Sequence, residues 1–428
     1  MSPTVKPKRI LMLLENESVP DDNRVLLEAL SLRTAGYEVM VICPTGQSRK
    51  WFEMVDGIRV YRYPKTFELE GFLGYVWEYG YSITMMFVIS LYIFLRRGFD
   101  VVHVHTPPDM TAVLAIFYQW FGKKFVFDHH DLSPELYLAR RASDEPNLVY
   151  RVLCFFERLA CRRADRLVAT NASQRDVQIN RCGALPENCY IVRNGPNELF
   201  LDAVEPRAEL KDSDKLVLGY VGAIGIQDGV DAMVRVVHEL HVHHGREDFI
   251  AVIVGDGPAM PELKKLIRKL DVEHLFQLTG MIPFPEVPPY IAAFDICLTP
   301  DQSNAYNDSC TTIKTMEYIA LRKPTVCFET RENQLSAGDA ALYAADNNLQ
   351  AFTAAVIRLM DDPQLRASMG ERGRRRIEDG LTWNHQASVL LALYDRLFHP
   401  PPRDSASSPT PDDVSVTSAA AVQQTAEV

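Results

Sequence analysis

Apolar runs of strand length alternate with helix-length amphipathic stretches twice along this chain, and that rhythm is the strongest constraint on its fold. The first series is RILMLLEN (9–16), EVMVICP (38–44), IRVYRYP (58–64), DVVHVHTP (100–107), KFVFDHH (124–130), DRLVATN (165–171) and CYIVRNG (189–195). Helical patterns at 22–35, 75–97, 108–121, 145–163 and 172–181 separate most of these runs. Strands that are almost continuously apolar need cover on both faces, which is the signature of a parallel sheet between two layers of helices. Residues 196–215, rich in proline and charge, break the pattern and read as a linker. The rhythm restarts with LVLGYVGAI (216–224), FIAVIVGDG (249–257), FQLTG (276–280), DICLTP (295–300), PTVCFE (324–329) and ALYAAD (341–346). Helices are expected near 229–243, 259–270, 285–293, 310–321 and 348–361, then at 363–379 and 382–398. The expected class is α/β: two Rossmann-like doubly wound parallel-sheet domains, 1–200 and 201–381, a C-terminal helix at 382–398, and a tail at 399–428. That tail has too little apolar content to pack and is expected to be disordered.

Composition narrows the class of function. A length of 428 residues exceeds what one core usually supports. A net charge of −11 argues against a nucleic-acid binder, which would carry a basic footprint. The eight cysteines form no CxxC pair and mostly sit in apolar segments, as small core residues of a reducing, cytoplasmic compartment do. The opening MSPTVKPKRILMLLEN fits a first strand rather than a signal peptide. One segment qualifies the cytoplasmic expectation. From Tyr79 to Leu95 no residue is charged, and Arg96 and Arg97 follow. This run is at the lower limit for a spanning helix. A long helix packed on the sheet is the first expectation. A helix lying on the inner membrane surface, with its arginines near anionic headgroups, is the second. A true span ranks last, because the βα rhythm continues around it.

Ligands of doubly wound sheets bind at the carboxyl ends of strands, and two such domains are expected to share one site in a central cleft. In the first half, DHHD (128–131) places two imidazoles and two carboxylates at a strand end. The cluster can supply a proton-transfer or charge-stabilising group, or can simply hold the loop before Pro134. Adjacent histidines on an extended chain point to opposite sides, so at most one ring would face a metal ion. A second cluster, HELHVHH (238–244), lacks a matching carboxylate or cysteine and reads as solvated surface. In the second half, GYVGAIGIQDG (219–229) and IVGDGP (253–258) follow strands and precede helices, where amides can cradle a phosphate or make a tight turn. The dinucleotide fingerprint G-x-G-x-x-G is missing after the first strand, which disfavours an NAD enzyme. Finally, NDSCTTIKTMEYIALRKPT (307–325) starts with N-cap residue types and carries one lysine, Lys314, and one acid, Glu317, in an apolar helix.

Taken in order, GYVGAI…DGVD, IVGDGP, LTG and EYIALRKPTV resemble the donor half of retaining family-4 glycosyltransferases of the GT-B fold. NRVLLEALSLRTAGYEVMVICP, FVFDHHDLSPELY and VRNGPN resemble the same family's acceptor half, so the likeness covers about residues 9–398. The members it most resembles build bacterial surface polysaccharides or lipid-linked glycans. The resemblance implies transfer from a nucleotide-sugar to a glycan or lipid-linked acceptor, with no metal and no cofactor. It implies that Glu317, the second glutamate of the family's E-X7-E motif, holds the ribose, and that His130, with Asp131 beside it, stands near the reacting sugar. Amides near Thr312 and Ile313 would meet the diphosphate, while Gly222, Asp256, Gly257, Thr279 and Gly280 would frame the nucleotide. The chain departs from the pattern at Ser309, where the first motif glutamate belongs, and at Ala223 and Asp228, where the family carries a phosphate-binding arginine and lysine. Lys314, Arg193 and Arg331 are the replacement cations, and Asp308 or Ser309 would take the sugar hydroxyls. The same departures fit a catalytically weak binding subunit, and an epimerase of the same fold is a further alternative.

Overall fold

A computed structural model describes residues 6–66, 71–141, 145–211 and 214–400. The chain forms two compact units. Of the described residues, the first contains those up to Tyr137, Glu145–Arg193 and those from Asn384 onward; the second contains those from Leu138 to residue 141 and within Asn194–Trp383. The tail expected to be disordered lies, from residue 401, outside the described residues.

The first unit is one eight-stranded sheet with strands β1 (Arg9–Leu13), β2 (Glu38–Pro44), β3 (Phe52–Val55), β4 (Ile58–Tyr63), β5 (Val101–His105), β6 (Lys124–His129), β7 (Arg166–Ala169) and β8 (Cys189–Ile191). Their order is β3-β4-β2-β1-β5-β6-β7-β8, parallel except for β3 against β4. The order reverses between β1 and β5, which opens the crevice where such sheets bind ligands. The pleat divides the side chains between two faces. Leu11, Leu13, Met40, Ile42, Val102, Val104, Phe125 and Phe127 pack under helices Gly71–Arg96, Ala112–Gln119 and Leu148–Arg163. His103 and His105, of the opposite parity on β5, face helix Asn23–Thr34 and the terminal helix Trp383–Phe398.

The terminal helix, set apart in the sequence reading, belongs to this first unit. Leu390, Leu393 and Tyr394 are fully buried, the Tyr394 ring lies tilted against Tyr37 with centroids 5.5 Å apart, and the Arg166 guanidinium donates to the Arg396 carbonyl at 3.0 Å. Two elements of this unit were not anticipated, nor was helix Arg331–Ala337 in the second. Strand β3 is joined to β4 by Asp56-Gly57, both at positive φ, the geometry of a two-residue hairpin turn. Helix Ser133–Arg140 follows directly on the loop expected before Pro134, and proline suits a first helical turn because its missing N–H would have no partner there anyway.

The second unit is a six-stranded parallel sheet of β9 (Leu216–Val221), β10 (Phe249–Val254), β11 (Phe276–Leu278), β12 (Ile296–Thr299), β13 (Thr325–Phe328) and β14 (Ala341–Ala344), ordered β11-β10-β9-β12-β13-β14. Here the reversal lies between β9 and β12. One face packs against helices Val230–Val242, Met260–Lys269 and Leu349–Asp361, the other against Val287–Ala293 and Ile313–Ala320. The expected linker at 196–215 is partly folded into this unit: Phe200 and Leu210 are buried beside Phe294 and Val252. Two apolar residues spaced among prolines and charges were enough to anchor it.

Candidate functional site

In the first unit the reversal point gathers a buried polar network. Arg24, in the first turn of its helix, makes a two-pronged ion pair with Asp128, Nε to Oδ2 at 2.9 Å and Nη2 to Oδ1 at 3.0 Å. Its Nη2 also lies 3.1 Å from Glu28 Oε1, one helical turn on. The Asp128 carboxylate meets the Nδ1 atoms of His105 at 3.1 Å and His130 at 3.3 Å. His103 Nδ1 pairs with the Tyr394 hydroxyl at 3.1 Å. The backbone of the loop is fixed too: the His130 amide donates to Thr106 Oγ1 at 3.2 Å, and Gln174 Nε2 donates to the His130 carbonyl at 2.8 Å. Asp131 is half-buried, with its amide 3.4 Å from the same Thr106 hydroxyl.

Charge in this network is settled by burial and by Arg24. Burial opposes ionisation of Asp128, but Arg24 and His130 outweigh it and hold the carboxyl well below its usual range. Glu28 has the reverse fate: burial and the neighbouring Asp128 charge push its pKa well up, so it keeps its proton. Burial also disfavours charge on His130, yet the Asp128 carboxylate overcomes it and raises the imidazole pKa. With its side chain 11% exposed, His130 is the one histidine among these with a surface, whereas His103 and His105 are sealed. His129 turns the other way, as the pleat requires, and lies 3.3 Å from Glu157. Ligand atoms of Glu28, His103, His105 and Asp128 all lie within 4.8 Å of one another, a spacing a metal ion would accept. The guanidinium already pairs with Asp128 and lies against the Glu28 carboxyl, so a cation would have to displace Arg24.

In the second unit the strand-end loops are stitched together at glycines. The Gly222 amide donates to Val254, the Gly255 amide to Gly280 at 3.1 Å, and the Ile224 amide to Asp256. Gly255 has φ +137°, and a Cβ there would stand 2.0 Å from the Gly222 carbonyl oxygen. A Cβ on Gly257 would stand 2.6 Å from the Ile224 oxygen. These positions demand glycine for close backbone approach, the tight-turn side of the two readings. Asp256 is exposed, its carboxylate accepting from the Gly257 amide at 2.8 Å, and Thr279 donates to the Gly280 carbonyl at 2.8 Å.

The segment 307–325 differs in detail from expectation. Asn307–Ser309 do not cap the helix; they form a separate 3-10 turn, and the helix begins at Ile313 behind an extended Thr312. Ser309 donates to the Tyr306 carbonyl at 2.7 Å, Asp308 accepts from Ser303 at 3.0 Å, and the Thr312 hydroxyl donates to Asn333 Oδ1 at 2.7 Å. Asn307 Nδ2 donates to the Gln227 carbonyl at 3.0 Å, tying this turn to the glycine loop.

Lys314 is buried and already paired. Its ammonium lies 2.9 Å from Asp301, 3.5 Å from Asp228 and 3.2 Å from the Tyr220 hydroxyl, whose ring it overlies at 4.9 Å. Burial opposes the charge, but Asp301, Tyr220 and Asp228 raise the lysine pKa well above its usual value, so the ammonium persists. Lys314 thus stands beside Asp228, the position where the related pattern would carry its own lysine. Asp301 lies in the strand-end segment 300–308 that follows DICLTP, but its pairing with Lys314 was not anticipated.

Glu317 is the opposite case. It is 5% exposed, no hydrogen bond reaches its carboxyl among the described residues, and burial pushes its pKa up to about 8. Arg193, the remaining candidate, lies in the first unit, where its amide donates to Gln386 Oε1 at 2.9 Å; Arg331 is exposed at the start of helix Arg331–Ala337. Arg24, Glu28 and His103 escaped the sequence reading, and His105 entered it only as one of the strand ends. Their signals were an Arg–Glu pair four apart on a helix and two histidines two apart on a strand, each pair on one face.

Two family models match the chain, one described as Glycosyltransferase Family 4 over residues 23–198 and one as Glycosyl transferases group 1 over residues 215–362. Alpha-D-kanosaminyltransferase of Streptomyces kanamyceticus is 26% identical over 372 residues, covering 81% of this chain and 92% of its own length. Among solved structures, sucrose-phosphate synthase of Thermosynechococcus elongatus superposes with a TM-score of 0.76 at 15% identity, covering 92% of this chain and 99% of that one. HepE of Anabaena, solved with UDP-glucose, superposes with a TM-score of 0.68 at 15% identity, covering 90% and 99%.

Proposed function

Because the chain belongs to glycosyltransferase family 4 and carries the GT-B fold, it is a sugar-transferring enzyme, and we propose that it takes the sugar from a nucleoside diphosphate donor held by the second unit. Glu317 carries this reading. A buried carboxyl with no protein partner is costly, and the vicinal hydroxyls of a ribose are the groups that would satisfy it. HepE binds UDP-glucose, a donor of this class, which supports the same chemistry here. The amides at Thr312 and Ile313 face no helix-internal acceptor and are suited to a diphosphate. The loops at Gly222, Asp256–Gly257 and Thr279–Gly280 would border the nucleotide, and Asp308 and Ser309 the sugar.

On the acceptor side, His130 is the exposed end of an otherwise sealed network, and Asp128 favours its charged form. An imidazolium beside the breaking bond would stabilise the developing negative charge. We propose transfer with retention at the anomeric carbon, without a metal ion, onto a glycan or lipid-linked acceptor in surface-polysaccharide synthesis. This would occur in the cytoplasm at the inner membrane face, with membrane contact through 79–97. Incubating the protein with labelled UDP-, GDP- and dTDP-sugars and lipid-linked acceptors tests the reading. A product that keeps the donor's anomeric configuration is expected; an inverted product would refute retention.

One observation favours a second reading, a nucleotide-sugar-binding subunit with little turnover. Lys314, the cation nearest the helix start, is neutralised by Asp301 and Asp228. Donor binding with no release of nucleoside diphosphate, across all acceptors, would select it.

A further inference from the structure

The helices on one face of the first sheet bury their inner sides and leave an unusual outer surface. Helix Gly71–Arg96 is long and apolar enough to cross a membrane by length and composition, and 28% of its apolar window is buried. Met86, Ile89 and Ile93 point into the core; Val88, Tyr92 and Leu95, spaced four and three apart, form an exposed stripe on the other side. Helix Ala112–Gln119 lies alongside, joined by a 2.8 Å hydrogen bond between Ser90 and the Tyr118 hydroxyl and by the Phe87–Phe117 ring contact. Just past its end, Trp120 is 77% exposed and Phe121, in ring contact with Phe94, is 53% exposed. Helix Leu148–Arg163 is the next neighbour, tied by Gln119 Nε2 donating to the Arg163 carbonyl at 2.8 Å. Its exposed side repeats the pattern with Leu148, Val152 and Phe155.

The exposed charges of these three helices all have one sign. Arg96, Arg151, Arg158 and Arg162 are exposed among the apolar residues. The three helices contain two acids, of which Glu157 is buried and Glu78 half-buried. In a chain of net charge −11, such segregation is not a matter of composition. Exposed aromatics and aliphatics interleaved with arginines are the chemistry of a surface that meets anionic headgroups while inserting apolar side chains at their level. A protein partner would have to be both apolar and acidic over the same area, and large exposed apolar patches are rare without an occupant.

We propose that the combined outer surface of helices Gly71–Arg96, Ala112–Gln119 and Leu148–Arg163, with Trp120 and Phe121, docks the protein on an anionic lipid bilayer. The His130 network lies on the opposite face of the same sheet, so docking leaves that side of the unit uncovered. This inference extends the membrane contact proposed for 79–97 and rests on that part of the reading alone.

Flotation of the full chain with vesicles of phosphatidylcholine, alone or mixed with phosphatidylglycerol, tests it. Binding to the mixed vesicles is expected to exceed binding to neutral ones at least ~10-fold at low salt, and to fall at ~0.5 M salt, where charges are screened within ~4 Å. The doubly substituted R151E/R158E and W120S/F121S chains are each expected to lose at least ~10-fold. All these side chains are exposed, and equal thermal melts establish that the variants fold. Equal binding to both vesicle types, no binding at low salt, or variants that float like the wild type would overturn the proposal. So would a stable dimer dispersed by W120S/F121S, which would assign the face to a second copy of the chain. A melting shift with nucleoside diphosphate, measured on the same samples, separates failure of this docking from failure of the donor reading.

Discussion

Replacing Glu317 with glutamine should make the protein more stable, and by an amount that grows with pH. The folded carboxyl has a pKa near 8 against an ordinary 4.5, and burial alone is the cause. Below about pH 4.5 both folded and unfolded chains hold the proton, and the protonated group's contribution to stability is fully present. Between 4.5 and 8 the unfolded chain releases a proton that the folded chain keeps, so wild-type stability falls by ~1.4 kcal/mol per pH unit. Glutamine has the shape of the protonated acid and no titration. The gap between variant and wild type should therefore open from near zero at pH 4.5 to ~4–5 kcal/mol at pH 8 and level off beyond it. Paired urea unfolding curves at four pH values between 5 and 8.5 measure it. Parallel stability profiles would refute the reasoning, because they would mean that Glu317 ionises normally and already has a polar partner.

Other substitutions follow from the same geometry. Asp128→Asn leaves the buried Arg24 guanidinium with Glu28, so urea unfolding should report a loss of ~3 kcal/mol; a loss below ~1 kcal/mol would mean that Glu28 replaces Asp128 in full. Gly255→Ala forces a methyl group against the Gly222 carbonyl at positive φ, and should cost ~1–3 kcal/mol or more in the melting of the second unit; an unchanged melt would contradict the packing. Lys314→Met strands Asp301 and Asp228 without a cation and should cost ~3–5 kcal/mol, much of which an added Asp301→Asn should restore; no rescue would show that the pair is not what holds the lysine.

The architecture was legible because buried parallel strands are continuous apolar runs, and each of the thirteen expected runs contains one of the observed strands. Where reading failed, local signals competed. Asp56-Gly57 is a hairpin dipeptide, yet FEMV before it is only four residues long and too short to stand out as a strand. The loop before Pro134 is there, but the short helix that follows it, Ser133–Arg140, was not set out. Asn307, Asp308 and Ser309 are N-cap types, but their hydrogen bonds close a turn of their own. The site was half legible for a different reason. Residues at strand ends, such as His130, can be found from the rhythm alone. Arg24 and Glu28 meet His103 and His105 only because β1 pairs with β5, a topological fact that spacing along the chain does not carry. The pairing of Asp301, a strand-end residue, with Lys314 was hidden likewise: thirteen residues separate the two, and the turn at 307–309 folds them together.

The central claim is that the second unit binds a nucleoside diphosphate sugar with Glu317 on the ribose. Thermal melts of wild type and Glu317→Ala with UDP, GDP and dTDP, and with their sugars, test it most directly. At a hundredfold excess over Kd, one nucleotide series should stabilise the wild type by ~2.7 kcal/mol, a shift of several degrees, and the variant should need at least ~10-fold more ligand for the same shift. No shift with any nucleotide, or identical titrations for wild type and variant, would contradict the account.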